Sequence, residues 1–89
     1  MGLRRYGNRR DENERAIIAA LEAMGCAVHR MDKPCDLLVL ARGTVHLCEV
    51  KTKRGQLTKA QERFAEHWPI RILRSVEDAV SLAGGRVTA

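Results

Sequence analysis

The chain has 89 residues, 45% of them hydrophobic and 30% charged, which excludes a disordered tract and allows one domain with a single modest core. Sixteen Lys and Arg against eleven Asp and Glu give a net charge of +5, a balance that favours a polyanionic partner over an acidic one. No apolar run approaches the ~20 residues of a membrane span or follows the arginine-rich start as in a signal peptide. Cys26, Cys35 and Cys48 are odd in number and widely spaced, so no disulfide framework and no membrane partner are expected, and a cytoplasmic, reducing location fits.

Residues 1–10 lack a hydrophobic period and carry Arg4, Arg5, Arg9 and Arg10, so they read as a flexible basic arm ahead of a single domain over 11–89. Ile17, Ala20, Leu21 and Met24 recur at helical spacing, and Asp11 with Glu14 forms a capping-box signature, which predicts a helix over 12–24 that Gly25 stops. Residues 26–30 are a first short strand and 37–41 a second. Arg42-Gly43-Thr44 suits a hairpin, which makes 45–51 an antiparallel third strand. Thr58 and Gln61 form another capping box, before a helix that carries Phe64, Ala65 and Trp68 inward and that Pro69 ends. A last strand over 70–73 leads to a helix with Val76, Ala79, Val80 and Ala83 facing inward. The order αβββαβα predicts an α/β fold with a mixed sheet flanked by helices.

The chemistry concentrates on two apolar strands. Leu40 opposite Val45 puts Asp36 opposite Glu49, and Lys51 lies on the same face as Glu49, whereas His46, Cys48 and Val50 point the other way. Two buried carboxylates brought together repel unless a cation lies between them. Oxygen ligands favour Mg²⁺, with Mn²⁺ as a substitute. The plainer alternative is a strand-edge salt bridge of Lys51 with Asp36 or Glu49. Lys51, Lys53, Arg54, Lys59 and Arg63 form a second basic cluster, and Lys53, Arg54 and Lys59 of it are the candidates for phosphate.

Asp36, then Glu49-Val50-Lys51 at a hairpin's distance, then a basic glycine-containing loop and Leu57-Thr58-Lys59-Ala60-Gln61, together resemble the PD-(D/E)XK nuclease superfamily. Within it the chain is most similar to the small stand-alone VRR-NUC type and related phage resolvase-like nucleases. The resemblance runs from about Asp11 to Leu82 and includes the closing Arg74-Ser75-Val76-Glu77-Asp78-Ala79. It implies a restriction-endonuclease-like fold, metal binding by Asp36, Glu49 and the Val50 carbonyl, and a catalytic Lys51. It also implies Mg²⁺-dependent hydrolysis of phosphodiester bonds in DNA. Branched or four-way-junction DNA would be the substrate class, a homodimer the working form and a bacterial or phage-infected cell the setting. One departure is that a cysteine separates Pro34 from Asp36.

Glu14 is the candidate for an acid that these folds often place on the first helix, and it shares the sheet-facing sector with Ile17 and Leu21, although it also completes a capping box with Asp11. Gln61 has the same double reading, as cap or as catalytic-site residue. Cys26, His29, Cys35, His46 and Cys48 do not make two compact ligand pairs for zinc. Trp68, beside Pro69, reads as core ahead of a base-stacking residue. The alternative to an enzyme is a non-catalytic DNA-binding or accessory subunit that keeps the fold.

Overall fold

A computed structural model describes residues 8–84, with side chains from residue 12 onward. The elements follow the order α1 (Asn8–Ala23), β1 (Ala27–Arg30), β2 (Leu37–Ala41), β3 (Thr44–Val50), α2 (Lys59–Ala65), β4 (Ile70–Leu73) and α3 (Val76–Gly84). The four strands form one sheet in the order β1-β2-β3-β4, antiparallel except for the β3–β4 pair, which is parallel because α2 carries the chain across. Among the described residues no helix is long and apolar enough to cross a membrane.

Strand alternation builds the core. Leu37, Val39 and Ala41 of β2, Cys48 and Val50 of β3 and Leu73 of β4 face one side, where Ile17 and Leu21 of α1 and Ala79, Leu82 and Ala83 of α3 cover them. Fully burying each large aliphatic side chain here contributes about 1.5–3 kcal/mol. α2 lies on the other face, contributes no buried residue, and is tied to the sheet by a hydrogen bond from Gln61 to Glu49.

The β2–β3 register is the one that the turn predicts: Leu40 pairs with Val45 and Leu37 with Cys48. Arg42 and Gly43 both have positive φ, 52° and 82°, the conformation of a two-residue turn whose twist matches the strands. α1 ends in a Schellman motif: Cys26 N–H donates to the Leu21 carbonyl and Gly25 N–H to that of Glu22, both at 3.0 Å, with Gly25 at φ 89°.

Several expectations change. α1 starts at Asn8, so Arg9 and Arg10 belong to its backbone, while Arg4 and Arg5 lie outside the described residues. Asp11 and Glu14 are therefore helix-interior positions and not its cap. Met24, Val76 and Val80 are exposed, and Leu82 takes the inward place on α3. Trp68 is 56% exposed instead of buried. It follows α2 in a continuing turn, its N–H bonded to the Phe64 carbonyl, and its ring stacks on Phe64.

Candidate active site

One step beyond the Leu37–Cys48 pair, the register sets Asp36 opposite Glu49. Asp36 is anchored twice: its Oδ2 accepts from Val50 N–H at 2.8 Å, and its carbonyl accepts from Met31 N–H at 2.6 Å. The first bond joins the head of β2 to the tail of β3. The second closes the β1–β2 loop.

Glu49 is 3% exposed. Its Oε2 accepts from Gln61 Nε2 at 2.6 Å and lies 3.6 Å from Lys51 Nζ, while Oε1 is buried with no hydrogen-bond partner among the described residues. Burial first, and then the charge of Asp36, push the Glu49 carboxyl up. The Lys51 ammonium and the Gln61 amide pull it down. An acid so desolvated, beside a second acid and with one oxygen unmet, is the environment that a bound cation relieves.

Gln61 satisfies both of its readings at once. Its backbone N–H donates to Thr58 Oγ1 at 3.1 Å and its Oε1 accepts from Thr58 N–H at 2.8 Å, which completes the capping box. With Oε1 so engaged, the amide can present only Nε2 to Glu49.

The structure thus brings Asp36, Glu49, Lys51 and Gln61 together. Glu14 is buried on the sheet-facing side of α1, but its Oε2 lies 3.7 Å from Arg30 Nε, and it does not join the two acids in one cluster. Among the described residues no group of three or more His, Cys, Asp or Glu side chains could hold a metal. Mg²⁺ keeps several waters and is commonly held by one or two carboxylates. Asp36, Glu49 and the Val50 carbonyl therefore fit it as a hard-oxygen donor set, and the unmet Glu49 Oε1 is the atom that calls for it. Cys35 and Cys48 sit in the interior as thiols, with Cys48 pushed up to about 12, chiefly by burial. Lys53, Arg54 and Lys59 are exposed beside the site.

Two contributors are not among the candidate site residues read from the sequence. Asn13 Nδ2 donates to the Lys51 carbonyl at 3.1 Å and to the Arg74 carbonyl at 3.2 Å. Arg74 in turn reaches the carbonyls of Thr52 at 2.8 Å, Lys53 at 3.3 Å and Gly55 at 2.7 Å through one terminal nitrogen. The loop is drawn back so far that a Cβ on Gly55 would lie 3.3 Å from Lys51 Cβ. Together these bonds fix the segment that leaves β3. The place of Arg74 in the closing motif is the one signal for it that the sequence carries. For Asn13, a single polar residue in a helix, there is none.

A solved structure described as a VRR_NUC domain has this architecture. It matches with a TM-score of 0.69 over 84% of this chain and 94% of its own, at 21% sequence identity. The restriction-endonuclease-like fold class expected from the sequence is therefore the fold observed. No family model matches the chain, and no curated sequence does.

The raised Glu49 carboxyl sets a sign for stability against pH. The folded state holds this proton more tightly than the unfolded chain, whose glutamates titrate near about 4.3. The contribution is fully favourable below that value and is lost as pH rises through the folded pKa. In chelator, Glu49→Gln should flatten this decline and raise the neutral-pH melting temperature. Arg74→Ala should lower it by about 8 °C or more, because it removes charge-assisted bonds to the half-buried Thr52 and Gly55 carbonyls, and such bonds contribute about 1.5–3 kcal/mol. Thermal unfolding followed by circular dichroism measures both.

Proposed function

We propose that the chain is a metal-dependent endonuclease of the PD-(D/E)XK class that hydrolyses phosphodiester bonds in DNA, using Mg²⁺ or Mn²⁺. The observation that carries this reading is the convergence of Asp36, Lys51 and Gln61 on the buried Glu49 carboxylate, whose Oε2 Lys51 and Gln61 meet and whose Oε1 no group among the described residues satisfies. A purely structural salt bridge between Lys51 and Glu49 leaves that oxygen unmet. The likeness in fold to a VRR_NUC domain agrees with the reading.

In this reading Asp36, Glu49 and the Val50 carbonyl hold the metal, and Glu14, engaged with Arg30, is assigned no role toward it. When bound, the metal polarises the phosphoryl group and lowers the pKa of water. Lys51, poised 3.6 Å from Glu49, orients the attacking water and stabilises charge that develops on the phosphoryl oxygens. Gln61 holds Glu49 ionised and correctly turned through its amide N–H. The exposed Lys53, Arg54 and Lys59, with Arg4, Arg5, Arg9 and Arg10 at the start of the chain, take the phosphate backbone. Branched DNA is the proposed substrate class. Cutting two strands of a branch calls for two sites, which a two-fold homodimer supplies.

The decisive experiment incubates linear, flap and four-way-junction DNA with the protein, in Mg²⁺ or in chelator, beside Lys51→Ala. The expected result is metal-dependent cleavage that Lys51→Ala reduces by about 10²-fold or more, the scale on which removal of one transition-state donor acts. Tight binding without cleavage would instead identify a DNA-binding subunit that keeps the fold. Removing residues 1–7, and with them Arg4 and Arg5, should reduce the slope of log affinity against log salt by about 2, one unit for each phosphate no longer neutralised. An unchanged slope would show that these two arginines do not touch the backbone.

A further inference from the structure

A second constellation lies beyond the acids. Val45, His46, Leu47, Trp68, Pro69 and Arg71 line a cavity of about 460 Å³. Its wall is the indole of Trp68, which rests on Phe64 with the ring planes 16° apart and the centroids 6.0 Å apart and leaves much of its surface to solvent. Arg71 stands beside it and forms no ion pair among the described residues. Burial and the charge of Arg71 push the His46 imidazole down, so a neutral ring completes the lining. Gln61, Phe64 and Trp68 follow one another along the same face of α2 and the turn after it. At the rise of a helix, the seven steps through the end of α2 and the turn after it put Trp68 about 10 Å from Gln61.

We infer that Trp68 and Arg71 form a binding site for an unpaired nucleotide of DNA, the base stacking on the indole and its phosphate meeting the guanidinium. An exposed aromatic face with a nearby cation is what single-stranded nucleic acid uses without regard to sequence. The neighbouring apolar residues Leu40 and Val45 are also exposed, so a second copy of the chain is the competing occupant. Charge decides between them: a partner that itself carries a net +5 is a poor match for an unpaired Arg71, whereas a phosphate satisfies it. The inference rests on DNA being the partner, and it adds a preference for DNA with unpaired bases.

Trp68 is the chain's single tryptophan, so its emission reports this site alone. The full chain, in chelator, is titrated with an oligothymidylate of about ten nucleotides and with a blunt duplex of equal length, and sedimentation is recorded without DNA. Quenching by the oligothymidylate, weak quenching by the duplex, and a roughly tenfold or greater loss of oligothymidylate affinity in Trp68→Ala are expected. Trp68→Phe, followed by anisotropy of labelled oligonucleotide, should recover much of that loss, and Arg71→Ala should lower the salt slope by about one. Circular dichroism verifies that each variant is folded. Emission indifferent to the oligothymidylate, or wild-type affinity in Trp68→Ala, overturns the inference even if Lys51-dependent cleavage stands. An emission shift with protein concentration alone, alongside a dimer in sedimentation, overturns it in favour of a protein interface. Quenching without cleavage of any DNA upholds this site and rejects the nuclease.

Discussion

The hydrogen bond from Val50 N–H to Asp36 Oδ2 is the interaction on which the geometry of the acids depends. Asp36 stands just before β2, and a buried carboxylate in that position needs a donor. By taking its donor from the last residue of β3, it fixes itself to the strand that carries Glu49. That pairing is possible only in one register, which is set at the opposite end of the hairpin by Arg42 and Gly43 in positive φ. A slip of one residue would send Asp36 to the face of Leu37 and Val39. A turn about 17 Å away, five residues of strand, therefore decides whether two carboxylates meet.

Once they meet, they are held in an arrangement that opposes stability. Glu49 is desolvated, repelled by Asp36 and left with one oxygen unmet. Lys51 and Gln61 compensate only the other oxygen, Oε2. The packed layer of α1, α3 and the core face of the sheet carries that cost, and it does so from the side of the sheet away from Glu49. Asn13 and Arg74 link the two sides. α1 donates to the Lys51 carbonyl, and the segment after β4 gathers the loop from Thr52 to Gly55. Lys51 is thereby positioned by its own strand and by bonds from both ends of the chain.

Much of this is legible in the sequence because it rests on local rules. Strand alternation separates Glu49 from Cys48 and Val50, a two-residue turn sets the register, and Thr58 with Gln61 marks a helix start. The errors arise where one pattern admits two meanings. Asp11 and Glu14 match a capping box, but with the helix starting at Asn8 Glu14 is an interior residue that turns to Arg30. Val76 and Val80 have the right chemistry for a core, yet the packing of α3 selects Ala79, Leu82 and Ala83, two of them small enough to allow close approach to α1. Trp68 reads as core because large aromatics are usually covered, and it is exposed because α2 is too short to bring it over the sheet. Asn13 and the three-carbonyl grip of Arg74 depend on sequence separations of 38, 61 and about 20 residues, beyond any local rule.

The short second helix has a further consequence. α2 contributes no buried residue, yet it supplies Gln61 to the acids and leads on to Trp68. The layer that keeps the protein folded and the segment that completes its working surface are therefore distinct pieces of chain. The α2 part of the crossover, beyond the Thr52–Gly55 loop that Arg74 holds, is the piece whose exchange would leave the α1–sheet–α3 layer intact. A lineage built on this scaffold could alter what it recognises through that crossover, with little effect on how it folds.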